Sequence, residues 1–233
     1  MGRPFSFLGL FPLAQAPNPS PRKRAICYID GFNLYYGAVK QTPYKWLNIQ
    51  ELCVSLRSSD DVVAVRYFTS KVVGMKAAER QAIFLRALRT LPLVSIHQGS
   101  FTRKNVGCEV PFCQHAGHKN YDVLVEKKTD VNIAIHMLDD AHHDRCDVFV
   151  VISGDTDLVP AVSMIRSEYP TKHVGVYVPI KAGMARADAR RSNALREAAH
   201  RGGFLSPTLV AGSQFPNTVT DSLGRTTAKP FSW

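Results

Sequence analysis

Runs of apolar and β-branched residues recur along this chain and are separated by segments with helix-forming composition. Five such runs predict β-strands, at residues 25–30, 62–70, 93–101, 148–152 and 173–179. Predicted helices follow them, among others at residues 31–39, 75–91, 129–143, 157–168 and 187–201. Strands that alternate with helices need crossover connections, which make the strands parallel and place helices on both faces of the sheet. The pattern therefore predicts an α/β fold with three layers, α/β/α, around a mostly parallel sheet of about five strands.

The segment 129–143 has the clearest helical spacing. Its apolar residues at i, i+3, i+4, i+7 and i+10 predict one buried face, formed by Val131, Ala134, Ile135, Leu138 and Ala141. A threonine at the start of such a segment favours capping of the helix, so Thr129 is the predicted N-cap.

The composition changes outside this alternating region. Residues 1–24 are rich in proline and carry four basic and no acidic side chains, so we expect a disordered basic segment. Residues 25–205 form the predicted domain, and residues 206–233 are expected to be an extended C-terminal tail. The formal net charge of the whole chain is +10, which favours a polyanionic partner such as nucleic acid.

Several features indicate the compartment. The five cysteines are an odd number at irregular positions, which favours reduced thiols over a disulfide framework. The apolar N-terminal stretch ends in Ala14-Gln15-Ala16, as signal peptides do, but Pro12 interrupts it. Because no run reaches the roughly 18 apolar residues of a membrane-spanning helix, we expect a cytoplasmic protein without a membrane partner.

Acidic residues lie where three of the predicted segments end or begin. Asp30 closes the first strand, Asp155 and Asp157 follow the fourth, and Asp130 lies in the first turn of the helix before it. In open α/β sheets, ligands bind beyond the carboxyl ends of the strands. Carboxylates that meet there repel one another unless a cation lies between them, and Mg²⁺ or Mn²⁺ prefers such oxygen ligands. The alternative is that each aspartate only caps a helix or turn.

Four stretches also carry a family resemblance: "YIDGFNLYYGA", "EKKTDVNIAIHMLDDA", "VFVVISGDTDLVPAVSMIR" and "HVGVYVP". Together they resemble the NYN domain family, relatives of the PIN-like ribonucleases that include the LabA-like group. The resemblance implies a PIN-like fold and endoribonuclease activity that depends on Mg²⁺ or Mn²⁺, with metal-activated water as the attacking group. Residues that match the family's motifs, and are therefore the candidate catalytic residues, are Asp30, Asn33, Asp130, Ser153, Asp155 and Asp157.

Within this set, the four aspartates are the implied metal ligands, while Asn33 and Ser153 would orient them or a substrate phosphate. Asn33 has the alternative of capping the helix after the first strand.

Basic residues near the acidic ones predict a groove for single-stranded RNA. The candidate RNA-binding residues are Lys104, Lys119, Lys127, Lys128, Lys181, Arg186, Arg190 and Arg191. Phe32, Tyr35 and Tyr36 could stack on bases, but burial in the core is the expectation for at least two of them.

An insertion at about residues 104–120 departs from the family pattern. It holds Cys108, Cys113, His115 and His118, two thiolates and two imidazoles, which is a ligand set of structural zinc sites. The insertion is therefore a candidate site for one structural Zn²⁺. The alternative is a flexible loop whose side chains face RNA or solvent.

Two other functions fit parts of the sequence. Asp155-Thr156-Asp157-Leu158-Val159 fits the D-x-D-x-[TV] signature of haloacid-dehalogenase-type phosphatases, although without that family's downstream context. A noncatalytic RNA-binding adaptor, whose acids bind a structural ion, is the other alternative. The sequence leaves the oligomeric state open, with a homodimer as one option.

Overall fold

The computed structural model describes residues 21–108, 110, 113–114, 120–180 and 192–233, with the backbone alone for residues 124–127. The strands are β1 (Arg24–Asp30), β2 (Asp61–Thr69), β3 (Val94–Gln98), β4 (Ser100–Gly107), β5 (Asn120–Lys127), β6 (Val148–Ile152), β7 (His173–Val178), β8 (Arg201–Phe204), β9 (Thr218–Thr220) and β10 (Thr226–Ala228). The helices are α1 (Gly31–Leu34), α2 (Ile49–Leu56), α3 (Met75–Leu88), α4 (Thr129–His142), α5 (Val159–Glu168), α6 (Asn193–Ala198) and α7 (Pro207–Gly212). A π-helical turn (Tyr35–Val39) extends α1, and a 3₁₀ turn (Thr156–Leu158) precedes α5.

Six strands form one parallel sheet in the order β3-β2-β1-β6-β7-β8. Alternate residues of β1 point to opposite faces, as the period of a strand requires. Cys27 and Ile29 pack on the face covered by α2, α3 and α7, while Ile26 and Tyr28 pack on the face covered by α4, α5 and α6. The predicted three-layer α/β/α, PIN-like architecture is therefore confirmed.

The sheet contains one strand that the sequence pattern did not reveal. β8 pairs in parallel with β7 from Gly175↔Arg201 to Val178↔Phe204. Its sequence, Arg-Gly-Gly-Phe, is short and contains two glycines, which are depleted in strands and provide no apolar alternation.

The predicted buried face of α4 is only partly correct, since Ala141 is buried and Leu138 packs against the core. Val131 and Ile135 are exposed, whereas Ile133, Met137 and the carboxylate of Asp140 are buried. The helix is rotated toward Asp140 because this side chain accepts hydrogen bonds from Tyr28 on β1 and from Arg66 on β2. Thr129 is not the N-cap either: it is the first helical residue, and Lys128 takes the cap position with a left-handed φ of 77°.

Both ends of the predicted domain are more ordered than expected. Arg22 and Arg24, which fall in the segment expected to be disordered, form ion pairs with Asp61 and Asp147; residues 1–20 lie outside the described residues. The expected C-terminal tail, residues 206–233, contains α7 and the β9–β10 hairpin. It buries Phe215 against Trp46, so it packs on the core and is not extended throughout.

The two strands that flank the insertion, β4 and β5, form a two-stranded arm of their own. β4 and β5 pair with each other in antiparallel register from Ser100↔Lys127 to Gly107↔Asn120. Among the described helices, none has the length and apolar character needed to cross a membrane.

Candidate functional site

The carboxyl ends of β1 and β6 bring two of the candidate acids to one edge of the sheet. The two strands are parallel neighbours, with Ile29 paired to Ile152, so Asp30 and Ser153 follow at the same level. Asp30 is 3% exposed, whereas Asp155 is partly exposed and Asp157 is exposed. The site therefore has a buried end at Asp30 and an open end at Asp157.

Asp30 is held by a dense set of donors. Its Oδ1 accepts hydrogen bonds from the backbone N–H of Phe32 (3.0 Å) and Asn33 (2.9 Å), which caps α1. Its Oδ2 accepts from Asn33 Nδ2 (2.6 Å) and Ser153 Oγ (3.1 Å). Because an ionised carboxylate has about four acceptor positions, these donors fix the orientation of Asp30.

Asn33 and Ser153 connect this carboxylate to the segment after β6. Asn33 Oδ1 accepts from the N–H of Gly154 (3.1 Å), and Ser153 Oγ accepts from the N–H of Asp155 (3.1 Å). Asn33 therefore lies inside α1 and bridges two strand ends, so the alternative that it only caps the helix is wrong. Asp155 Oδ1 accepts from the N–H of Asp157 (3.0 Å) and so caps the 3₁₀ turn.

Asp130 reaches the same edge from a different element. It lies in the first turn of α4, where the Thr129 hydroxyl is 3.5 Å from that of Ser70, directly after β2. Asp130 itself is partly exposed.

The carboxylate oxygens of these acids are ligand atoms that suit a hard cation. Direct ligation by Asp30 would, however, require it to exchange one of its hydrogen bonds for the ion. Across the residues described by the structure, no group of three or more His, Cys, Asp or Glu side chains could hold a metal ion as arranged. The metal site thus remains a prediction.

The candidate RNA-binding residues are only partly covered by the structure. Lys104 on β4 and Lys128 before α4 are exposed. The side chain of Lys127 and the whole of Lys119, Lys181, Arg186, Arg190 and Arg191 lie outside the described residues. For the zinc hypothesis, Cys108 is exposed and Cys113 is partly exposed, whereas His115 and His118 are outside the described residues.

The structure reveals a cleft that sequence reasoning missed. It has a volume of about 500 Å³, begins at Gly31 beside Asp30, and is lined by basic residues Lys40, Lys45 and Arg80. Arg80 is distant in sequence from Lys40 and Lys45, and none of the three belongs to a recognised motif. The sequence therefore offered no reason to place them together. Aromatic residues of α1 and of its π-helical turn also line the cleft. Phe32 is partly exposed and Tyr35 and Tyr36 are exposed, so the expected burial of at least two of them is wrong.

Gly31 shows why the cleft reaches this close to the acidic residues. A Cβ at this position would lie 2.6 Å from the hydroxyl of Tyr67 and 2.8 Å from the carbonyl oxygen of Phe68. Only glycine allows α1 to begin so close to β2, which places the cleft and Asp30 side by side.

Comparisons with known proteins found one similar sequence and two similar solved structures. HspA of Pseudomonas putida, named 6-hydroxy-3-succinoylpyridine 3-monooxygenase, is 26% identical over 242 aligned positions, which cover 90% of this chain and 75% of HspA. A crystal structure of a protein of unknown function from Vibrio parahaemolyticus is similar with a TM-score of 0.49 and 16% identity, covering 81% of this chain and 96% of the other. An isochorismatase-like hydrolase from Alkaliphilus metalliredigens is similar with a TM-score of 0.32 and 9% identity, covering 82% of this chain and 98% of the other.

The decisive comparison is with a family. The NYN domain model matches residues 24–204, which span β1 to β8 and include the complete acidic edge of the sheet. The chain belongs to the NYN domain family.

Proposed function

We propose that this protein is a metal-dependent endoribonuclease that hydrolyses single-stranded RNA at the carboxyl edge of the sheet. The observation that supports this most strongly is the continuous hydrogen-bonded set of Asp30, Asn33, Ser153 and Asp155, which ties the ends of β1 and β6 together. An NYN domain has a nuclease-type fold. The net charge of +10 favours a polyanionic substrate.

The proposed roles follow from burial and hydrogen bonding. Asp130, Asp155 and Asp157 would hold Mg²⁺ or Mn²⁺, with Asp30 as the buried carboxylate behind them. When bound, such an ion lowers the pKa of a coordinated water and stabilises negative charge on phosphoryl oxygens. Ser153 and Asn33 orient Asp30, and Asn33 also fixes the backbone at Gly154, so Asp155 is presented at a defined position.

An RNA cleavage assay tests the proposal. Purified protein should cleave a fluorescent single-stranded RNA with Mn²⁺ or Mg²⁺ and not in EDTA. Asp155→Asn should abolish cleavage, because the amide cannot replace a carboxylate beside a cation. The matched control is Asp61→Asn, since Asp61 is an exposed acid at the start of β2, on the opposite edge of the sheet. Its cleavage rate should equal that of the wild type.

The same assay separates the alternatives. RNA that binds but stays intact with every metal would identify an adaptor. Turnover of p-nitrophenyl phosphate that is lost in Asp155→Asn, with RNA intact, would identify a phosphatase. Cleavage that persists in EDTA or in Asp155→Asn would contradict the assignment of the acidic residues.

A second candidate function is oxygenation of a small heterocyclic acid. It is favoured by similarity to HspA, whose name describes a pyridine 3-monooxygenase, and by a cleft that combines aromatic and basic residues. A monooxygenase transfers one atom of O₂ to its substrate and reduces the other to water, so it needs a two-electron donor. Oxygen uptake upon adding 6-hydroxy-3-succinoylpyridine and a reduced nicotinamide or flavin would establish this function, and its absence would exclude that substrate.

A further inference from the structure

The cleft beside Asp30 has the chemistry of a ligand site. Aromatic residues that line it include Phe32, Tyr35, Tyr36, Phe84, Phe101 and Trp233. One wall is formed by α1 and its π-helical turn, and the other by α3 with Trp233. A cavity of this volume, apolar with a few polar groups, is typical of sites for small organic molecules.

The rings on the α1 wall form an ordered aromatic surface. Phe32 and Tyr36 are nearly parallel, with ring centroids 6.1 Å apart and an angle of 15° between the planes. Phe101 from β4 contacts Phe32 edge-on at 6.1 Å. Tyr36 remains 50% exposed and Tyr35 37% exposed, so the surface presents aromatic area that the protein itself does not cover. Contiguous exposed aromatic area of this kind marks a binding surface.

The charges of the cleft are all of one sign. Lys40, Lys45 and Arg80 line it, and no acidic side chain does so among the described residues. Lys40 Nζ lies 4.6 Å from the ring centroid of Tyr36, so a cation and an exposed ring occur together. A ligand that satisfies both features has a flat aromatic ring and an anionic group.

The backbone that carries these residues is unusual. The N–H of Lys40 donates to the carbonyl of Tyr35 at 2.7 Å, which is a hydrogen bond across five residues. Such π-helical turns occur frequently at functional sites. The turn also packs closely on the segment after β7, because a Cβ on Gly37 would lie 2.7 Å from the carbonyl oxygen of Pro179. The π-helical turn thus packs against the segment after β7 on one side, while its aromatic rings line the cleft on the other.

We propose that the cleft binds one nucleotide of the RNA strand, next to the phosphate that is cleaved. The base stacks on the exposed ring of Tyr36, against which the ring of Tyr35 stands edge-on. Its phosphate is held by Lys40, Lys45 and Arg80. The identity of this ligand rests on the ribonuclease function proposed above. Because Gly31 at the start of the cleft adjoins Asp30, the nucleotide in the cleft sets a base preference at one position beside the cut.

Binding of nucleoside monophosphates, measured by calorimetry, tests this without requiring cleavage. AMP or UMP should bind to the wild type, and Tyr36→Ala should weaken binding about tenfold, the loss expected for one stacked base. The control is Tyr121→Ala on β5, which removes an equally exposed tyrosine, 50% exposed, outside the cleft. Arg80→Ala, with Arg89→Ala at the end of α3 as its control, tests the other wall. Circular dichroism verifies that each variant is folded.

The outcomes separate the nucleotide site from the nuclease. Selective loss of mononucleotide binding in Tyr36→Ala and Arg80→Ala supports the site, even if RNA is never cleaved. Two results would overturn it: no mononucleotide binding at millimolar concentration, or equal binding by the cleft variants and their controls. Stronger binding of 6-hydroxy-3-succinoylpyridine than of either mononucleotide would also overturn it and would assign the cleft to a small heterocyclic acid.

Discussion

At the scale of single residues, Asp140 is the buried charge that anchors α4 to the sheet. It is fully buried and accepts hydrogen bonds from Tyr28 Oη (2.7 Å), from Arg66 (2.6 and 2.7 Å) and from Arg145 (2.9 Å). Burial alone raises the pKa of Asp140, but the hydrogen bonds from Arg66 and Tyr28 outweigh it and hold the pKa below its usual value. Asp140 is therefore ionised and paired in the folded protein.

We predict that Asp140→Asn lowers the free energy of unfolding by about 3–5 kcal/mol, because it leaves Arg66 without its counter-charge in the interior. Urea denaturation measures this change. The neighbouring Asp139 pairs with Arg145 and His143 at the surface, so Asp139→Asn should lower the free energy of unfolding far less than Asp140→Asn. Equal losses in the two variants would contradict the anchoring role.

His97 gives a prediction about pH. Its ring stacks on Phe68 (4.8 Å between centroids) and lies 4.2 Å from that of His136. Burial, followed by the charges of His136 and Arg66, lowers the pKa of His97 to about 4, against an ordinary value of 6.5. The unfolded chain therefore binds more protons between these pH values. The stabilising contribution of neutral His97 to the free energy of unfolding is fully present above about pH 6.5. It is lost as the pH falls toward 4.

We predict that the loss of stability between pH 7 and pH 4.5 is smaller in His97→Gln than in the wild type. Urea denaturation at both pH values measures the difference. The control is His142→Gln, which removes an exposed histidine of α4 that lies outside this cluster. A His97 variant with the wild-type pH dependence would contradict the assignment.

At the scale of elements, the sequence predicted those parts of the fold that depend on local pattern. The buried strands β1 and β6 are short apolar runs, and Asp30 and Asp155 follow them directly, so the strand-end rule placed both acids correctly at one edge. The orientation of α4 could not be predicted, because it has two apolar stripes and the choice between them depends on Asp140 meeting Tyr28 and Arg66. The cleft was likewise hidden, since it depends on the π-helical turn that directs Tyr35 and Tyr36 outward.

The β4–β5 arm is the element to which the zinc hypothesis belongs. Cys108 follows β4, and the backbone N–H of Cys113 donates to the carbonyl oxygen of Val110 at 3.2 Å. Elemental analysis of unchelated protein should find close to one zinc per chain. Cys113→Ser should release it and make the arm sensitive to protease, while the sheet stays folded. Zinc-free protein with a protease-resistant arm would exclude the site.

At the scale of the whole molecule, the positive charge predicts how RNA binding responds to salt. The logarithm of the binding constant should fall linearly with the logarithm of salt concentration, by about 0.7 for each phosphate contacted on a single strand. Fluorescence anisotropy of labelled RNA measures the slope. Arg80→Ala should reduce this slope by about 0.7, the value for one phosphate contact, and Arg89→Ala should leave it unchanged. A binding constant that does not change with salt concentration would contradict electrostatic binding of the RNA phosphates.

The central claim is that water, activated at the carboxyl edge of the sheet, attacks the RNA phosphate. The most direct measurement is mass spectrometry of the products after cleavage of single-stranded RNA in ¹⁸O-labelled water with Mn²⁺. Attack by water should give 5′-phosphate ends that carry one ¹⁸O atom, and RNA should stay intact with Asp155→Asn under the same conditions. Products with 2′,3′-cyclic phosphate ends would show attack by the ribose 2′-hydroxyl, and these, or unlabelled 5′-phosphates, would contradict the claim.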